Sequence, residues 1–149
     1  PLSIHAEGGT FTHKDTEVID SIVATIRFEN GSVGCAAIGD FGPSIWTGKS
    51  FYEVFDGKGR SATLYHYYEG VKIAGAEPSD YNLKDLSEEI RSDPAQYYGY
   101  LPEVKEFVDC IINNEKPSIA AEAKDGTRAT TLALKAFESA RTGRTQRLP

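Results

Sequence analysis

Two alternating runs meet at Asn30-Gly31. In the first, Ile22, Ala24, Ile26 and Phe28 alternate with Ser21, Val23, Thr25 and Arg27, the period of a strand with one buried face. The second runs from Ser32 to Ile38. Asn and Gly both tolerate positive φ, so the pair between the runs closes a two-stranded hairpin. Asn30-Gly31-Ser32 also spells a glycosylation acceptor, and a turn accounts for it without a sugar. A chain built round this hairpin carries an antiparallel sheet with one face to cover.

The first two thirds stay β-rich. Phe51 to Phe55 and Ala62 to Tyr68 pair around Asp56-Gly57-Lys58-Gly59, and Val71-Lys72-Ile73 adds a short strand. Residues 75–96 are polar, with Pro78, Asp80 and Ser92-Asp93-Pro94, and read as an irregular excursion with one helical turn near Leu83 to Ile90. The last third changes period. Leu101, Val104, Phe107, Val108 and Ile111 form one apolar stripe on a helix over 101–114. Pro102 falls in its first turn, where a missing N–H costs nothing. A second helix spans 123–142. Its Ala129, Leu132, Ala133, Ala136 and Ala140 make a face of mostly small side chains that can lie close to a sheet. Gly143 is its stop, and Thr145 to Leu148 suits a final strand. Strands first and helices last predict an α+β fold: an open-faced, mainly antiparallel sheet with two helices packed on one face. The other face is expected to stay open, with Thr25, Arg27 and Tyr65 or Tyr67 on it, and to serve association.

Length and composition bound the rest. At 149 residues the chain is expected to be a single domain, 1–149, large enough for a core without staples. With 40% hydrophobic and 26% charged residues it is not expected to be disordered. No apolar run reaches the roughly 18 residues of a membrane span. The net charge of −6 disfavours nucleic acid as a partner, since phosphates are neutralised by Lys and Arg. The chain opens directly on the strand-like Pro1-Leu2-Ser3-Ile4 and holds no Met, so it reads as a piece of a longer protein. Cys35 and Cys110 lack motif spacing and suggest buried thiols in a reducing, cytoplasmic compartment; a single disulfide is the alternative.

Several strings imitate chemistry. Gly57-Lys58-Gly59-Arg60-Ser61-Ala62 matches the dinucleotide fingerprint, but the pyrophosphate needs a helix at those glycines. The stretch Ala62-Thr63-Leu64-Tyr65-His66-Tyr67-Tyr68 has a strand pattern instead, so a hairpin explains the glycines better. His5, His13 and His66 have no metal-ligand spacing and read as structural histidines. Asp40 and Asp56 follow strands, where carboxylates usually cap turns. The Gly-rich segment Gly39 to Lys49 stands apart. It holds Phe41, Lys49 and Trp46, the chain's single Trp. Aromatic faces stack on sugar rings and Lys bonds a hydroxyl or carboxylate, so Phe41, Trp46 and Lys49 are candidate substrate-binding residues. A loop that tucks Trp46 into a core or an interface fits the composition equally.

Taken in order, four segments resemble the C-terminal domain of the Gfo/Idh/MocA family of NAD(P)-dependent sugar and polyol oxidoreductases. They are Val23 to Gly34, similar to the family's central hairpin, and Tyr52 to Gly59, similar to its "EV-x-G-x-x-G" strand. Then come Phe107 to Ile112 followed by Lys116-Pro117, and Ala136 to Gly143, close to the family's final helix. The ordered set covers nearly the whole chain.

The resemblance implies an N-terminal Rossmann domain, absent from this chain, that binds NAD or NADP. It also implies a catalytic Lys in an E-K-P motif and commonly an Asp/His pair on a helix before the first sheet strand. Glu115-Lys116-Pro117 spells E-K-P but sits between two helices rather than after a Rossmann strand. No catalytic, cofactor-binding or metal-binding residue of the family is therefore placed on this chain. What the resemblance implies here is the substrate-covering and oligomerising half of a cytoplasmic enzyme, its segment around Trp46 and Lys49 lining the site of a small sugar or polyol. The isolated chain is expected to be inactive and to bind no cofactor. Two alternatives stand: a stand-alone sheet module for ligand binding or dimerisation, and a part of a redox-neutral NAD-dependent glycosidase.

Overall fold

The computed structural model describes residues 1–39, 51–65, 70–75, 78–97 and 99–149. They fall into two compact units, a terminal unit of Pro1–Gly42 with Ala121–Pro149 and a middle unit of Pro43–Ala120. The class is α+β, and all strand pairs are antiparallel.

The terminal unit carries β1 (Ser3–Gly9), β2 (Ser21–Arg27), β3 (Val33–Gly39), the 20-residue helix α4 (Ala123–Thr142) and, last in the chain, the two-residue strand β8 (Gln146–Arg147). The sheet order is β3-β2-β1-β8. Its register sets Ala6, Ala24 and Ala36 in one row and Ile4, Ile26 and Gly34 in the next. These even-numbered positions share a face, as the pleat dictates. On that face Ile4, Ala6, Ile22 and Ala24 are buried with Ala136 of α4, and Leu132 and Ala140 pack against them. Full burial of an Ile side chain contributes roughly 1.5–3 kcal/mol. The small residues let the helix come so close to β1 that the fully buried Ser139 hydroxyl accepts the Ala6 amide at 2.9 Å. The neighbouring strand β8 pairs only with Ser3 and Ile4, so a side chain takes over where that ladder stops.

Turns and caps follow the local chemistry. Asn30 Oδ1 accepts the Ser32 amide and hydroxyl, and Gly31 sits at φ 85°, which confirms the turn reading of Asn30-Gly31-Ser32. Between β1 and β2 the carboxylate of Asp20 accepts the amides of Phe11, Thr12 and His13. Gly143, at φ 64°, ends α4 with its amide on the Ser139 carbonyl. Glu122 and Asp125 form a capping box at its start.

In the middle unit β4 (Tyr52–Phe55), β5 (Ser61–Tyr65), β6 (Gly70–Ala74) and β7 (Ser79–Asn82) form a four-stranded meander in sequence order. A 3₁₀ turn (Leu83–Asp85) and the short helices α1 (Glu88–Ser92) and α2 (Pro94–Tyr97) come next, and α2 packs on α3 (Tyr100–Asn113).

Some expectations change in detail. The strands divide between two sheets rather than one. Helix α4 packs along β1, whereas α3 belongs to the middle unit, and its stripe stays largely in water, with Phe107 65% and Ile111 64% exposed. Amphipathic spacing names the face a helix offers but not what meets it. Along α4, Ala129 and Ala133 are exposed and Ser139 takes a buried place. Thr25 and Arg27 lie exposed on the face of the terminal sheet opposite α4, as expected, while Tyr65 lies in the other sheet and Tyr67 outside the described residues. Cys35 is exposed and Cys110 half-buried, so the expectation of two buried thiols fails; both are free. Edge strand β3 carries Cys35 on the open face, opposite α4.

Ser139→Ala removes the acceptor but keeps the helix. The buried Ala6 amide is then unsatisfied, and the expected cost is about 1–3 kcal/mol. Urea denaturation of the two chains measures it.

Candidate functional site

Phe41, Trp46 and Lys49, the predicted substrate-binding residues, lie outside the described residues, as do Asp40 and His66. The other chemical strings can be placed. Gly57 and Gly59 sit at φ 70° and 88° in the hairpin between β4 and β5, and a strand comes after them. Two of the turn's amides are already used. Asp56 Oδ1 accepts the Lys58 amide at 2.7 Å and the Arg60 amide at 3.1 Å, and the Arg60 side chain bonds Oδ2. The Arg60 bond, then these amides, hold the Asp56 carboxyl below its ordinary range. A strand after the glycines and a carboxylate seated on two amides make this turn a hairpin, as its pattern predicts. His5 lies half-buried on β1, its ring 3.5 Å from the Thr145 hydroxyl and 3.6 Å from Glu7. Among the described residues no group of three or more His, Cys, Asp or Glu could hold a metal ion, and no helix is long and apolar enough to cross a membrane.

The pleat of the middle sheet sorts its side chains sharply. One face carries Tyr52, Leu64, Val71 and Tyr81 in a cross-strand row, with Val54, Ala62 and Ile73 in the next. The other face carries the row Glu53, Thr63, Lys72 and Asp80. There the Thr63 hydroxyl donates to Glu53 at 3.1 Å, and Lys72 Nζ lies 3.4 Å from Asp80. Tyr65 donates to Asp80 at 3.1 Å, and Lys72 stands 5.4 Å above the Tyr65 ring. Partial burial and then the Asp80 carboxylate push the Tyr65 phenol up, so it stays a hydrogen-bond donor. Tyr65 crosses Gly70, where a Cβ would clash with its hydroxyl. This row sets hydroxyl, carboxylate and ammonium groups side by side on one face of the sheet. Strand periodicity assigns the parity of these residues; the pairing of Lys72 with Asp80 needs the register of β6 on β7, which no local motif announces.

An open cavity lies in each unit. In the terminal unit a space of about 600 Å³ lies between Phe28, Asn30, Thr127, Arg128 and Leu148. In the middle unit a groove of about 660 Å³ runs along α3 past Glu106, Asp109, Cys110 and Lys116. Glu106 and Asp109 are engaged structurally. Asp109 pairs with Lys105 at 2.7 Å. Glu106 accepts the Ser118 hydroxyl and amide at 2.8 Å, the Ala120 amide at 2.9 Å and the Ile119 amide at 3.0 Å. The Ser118 hydroxyl, then the Ile119 and Ala120 amides, lower its pKa to about 2. Partial burial and the nearby Glu106, Glu115 and Asp109 push the Cys110 thiol up, away from the reactive thiolate. Lys116 of the E-K-P string lines this groove beside α3.

Several solved structures share this architecture. An oxidoreductase from Agrobacterium radiobacter, in complex with NAD+, L-tartaric acid and magnesium, superposes with a TM-score of 0.71 at 16% identity, over 98% of this chain and 43% of that one. The aldose-aldose oxidoreductase from Caulobacter crescentus, complexed with glycerol, gives 0.68 at 18% identity, over 99% and 41%. The WlbA dehydrogenase from Bordetella pertussis, in complex with NADH and UDP-GlcNAcA, gives 0.59 at 16% identity, over 99% and 40%. The fold is that of one part of these oxidoreductases. The chain spans about two fifths of the solved chains it matches. Neither a family model nor a curated protein matches the sequence. The resemblance to Gfo/Idh/MocA oxidoreductases read from the sequence thus holds at the level of fold, and it is a likeness of part of a chain.

Glu106 yields a pH expectation with a definite sign. Its folded value of about 2 lies below the ordinary 4.5, so its hold on residues 118–120 is complete above the ordinary carboxylate range and is lost as pH falls toward 2. The amide resonances of Ser118, Ile119 and Ala120 are expected to titrate together near pH 2, and to lose that step in Glu106→Gln. A shared midpoint above pH 4 in the unaltered chain contradicts the assignment.

Proposed function

We propose that residues 1–149 act as one domain, the C-terminal, substrate-covering and oligomerising domain of a cytoplasmic NAD(P)-dependent oxidoreductase of the Gfo/Idh/MocA type acting on a small sugar or polyol. The observation that carries this reading is the fold match over nearly all of this chain but only two fifths of each oxidoreductase chain. That proportion leaves room for a separate cofactor domain. The complexes with NAD+ and NADH, and with glycerol, tartaric acid and a nucleotide sugar, support the cofactor and polyhydroxylated substrate classes.

In this reading the roles divide by chemistry. The nicotinamide accepts or gives the hydride, and a Rossmann domain outside this chain holds it. This chain supplies hydrogen bonds and apolar stacking around the substrate. Phe41 and Trp46 stack on the sugar, and Lys49 bonds a hydroxyl or carboxylate. The Thr63, Lys72 and Asp80 row of the middle unit adds further polar contacts. The open face of the terminal sheet joins subunits into a homo-oligomer.

Two measurements test the division. In the full-length parent, Trp46→Ala and Lys49→Ala are each expected to lower kcat/KM for the sugar by the equivalent of about 1–3 kcal/mol, with cofactor affinity unchanged. Unchanged kinetics in both makes the loop structural. The isolated 149-residue chain is expected to show no saturable NAD(H) or NADP(H) binding by calorimetry. Micromolar binding would place a cofactor site on this chain and overturn the division.

A further inference from the structure

Of the chain's four asparagines, Asn30 alone precedes a glycine. Glycine has no Cβ to shield its amide nitrogen, and the pair stands exposed at the tip of the β2–β3 hairpin. Gly31 holds φ 85°, and a Cβ built on it would meet nothing within 4 Å. The main chain therefore has free space around it here.

The Asn30 side chain is held in a defined way. Its Oδ1 accepts the Ser32 amide at 3.1 Å and the Ser32 hydroxyl at 2.7 Å. A backbone amide only donates, so the oxygen faces Ser32 and Nδ2 is turned the other way. Two donors on a carbonyl oxygen draw electrons from Cγ, and they stabilise the oxyanion that forms when a nucleophile adds there. The nucleophile beside Cγ is the Gly31 nitrogen, whose attack closes a succinimide ring. The Gly31 amide donates to the Phe28 carbonyl at 3.1 Å, a bond that an exposed tip readily exchanges for water.

We propose that Asn30 is a site of self-modification, at which the Gly31 nitrogen displaces the side-chain amide as ammonia and water leaves Asp or isoaspartate at residue 30. The Gly31 nitrogen gives its proton to hydroxide and bonds to Cγ. The Cγ–Nδ2 bond breaks, and Nδ2 leaves as ammonia with a proton from water. Water then opens the ring at the former side-chain carbonyl to give Asp, or at the main-chain carbonyl to give isoaspartate. Overall an amide and a water become a carboxylate and an ammonium ion. The other candidates fit less well. Asn82, Asn113 and Asn114 precede Leu83, Asn114 and Glu115, whose side chains shield the attacking nitrogen. Asp56-Gly57 begins as a carboxylate bonded by Arg60 and two amides, a poor electrophile.

The two products differ in what they do to the hairpin. Asp keeps the main chain, and its carboxylate still accepts from Ser32. Isoaspartate lengthens the main chain between Phe28 and Ser32, whose amide-to-carbonyl bond at 3.0 Å closes this end of the hairpin. Either product puts a negative charge on the cavity that Asn30 shares with Arg128.

Incubation of the 149-residue chain in mildly alkaline buffer tests this, continued until the same chain unfolded in urea has converted. Peptide mass mapping is expected to find Asn30 converted in the folded chain, with Asn82, Asn113 and Asn114 intact. Anion exchange should show an added negative charge. Methyl transfer from S-adenosylmethionine by an isoaspartate methyltransferase should label the peptide that holds residue 30. Gly31→Ala should lose the conversion, and Ser32→Ala, which keeps the glycine, should slow it severalfold. Asn30 left intact in the folded chain would overturn the proposal. Conversion at an unchanged rate in Ser32→Ala would overturn the part given to the hydroxyl.

Discussion

The Ser139 hydroxyl accepts the Ala6 amide across 133 residues of sequence, and the terminal unit depends on that close approach. A helix can reach a strand's backbone only when nothing bulky stands between them. Ala6, Ala24, Ala136 and Ala140 provide the clearance, and Ile4 and Ile22 fill the space to either side. The bond also relieves a constraint that packing alone cannot. Strand β8 stops after two residues, so β1 would bury an amide with no ladder partner. A hydroxyl on the covering helix answers it. Because Ala6 and Ser139 are 133 residues apart, this is a contact of high loop-closure cost.

What could be read from the sequence was what is decided locally. Asn30-Gly31 and Asp56-Gly57-Lys58-Gly59 announce their hairpins by backbone freedom, and both turns stand where expected. The two long helices begin and end within a residue of their predicted limits, since Gly143 and the apolar spacing are local signals. Ser139 was out of reach for the opposite reason. A polar residue holds a buried place through one distant amide, and no periodicity contains that amide. The stripe of α3 shows the same gap: spacing shows that Leu101, Val104 and Phe107 share a face, not that the face stays in water. At the candidate site, the polar parity of Thr63, Tyr65 and Lys72 is visible in the strands, whereas the ion pair with Asp80 depends on register. Phe41, Trp46 and Lys49 lie where the described residues stop.

The acids have a common use that bears on chemistry. Asp20, Asp56 and Glu106 each turn a carboxylate onto two or more backbone amides of a nearby turn. Amide donors stabilise the charged form, so all three pKa values fall, those of Asp20 and Glu106 to about 2. A general acid or base near neutral pH needs the reverse, a carboxyl raised by burial or by a second acid. These carboxylates are therefore fasteners. A chain with 22 acidic residues commits its best-organised ones to loop geometry.

That use of charge agrees with the covering role proposed above. Hydride transfer asks the protein to place a cofactor's carbon against a substrate, and the Gly57–Ala62 turn has two of its amides filled by Asp56. A covering domain has simpler needs: a rigid frame, a surface of hydrogen-bonding groups, and a way to join a neighbour. The terminal unit supplies the frame on one face of its sheet and leaves the other face open. The middle unit supplies a polar row whose members already hold one another in place. Lys72 and Tyr65 share Asp80, so neither must lose all of its side-chain freedom when a hydroxyl arrives. Preorganised donors and acceptors lower the entropic cost of binding a flexible, many-hydroxyl ligand, and this is the physical ground for the polyol proposed above.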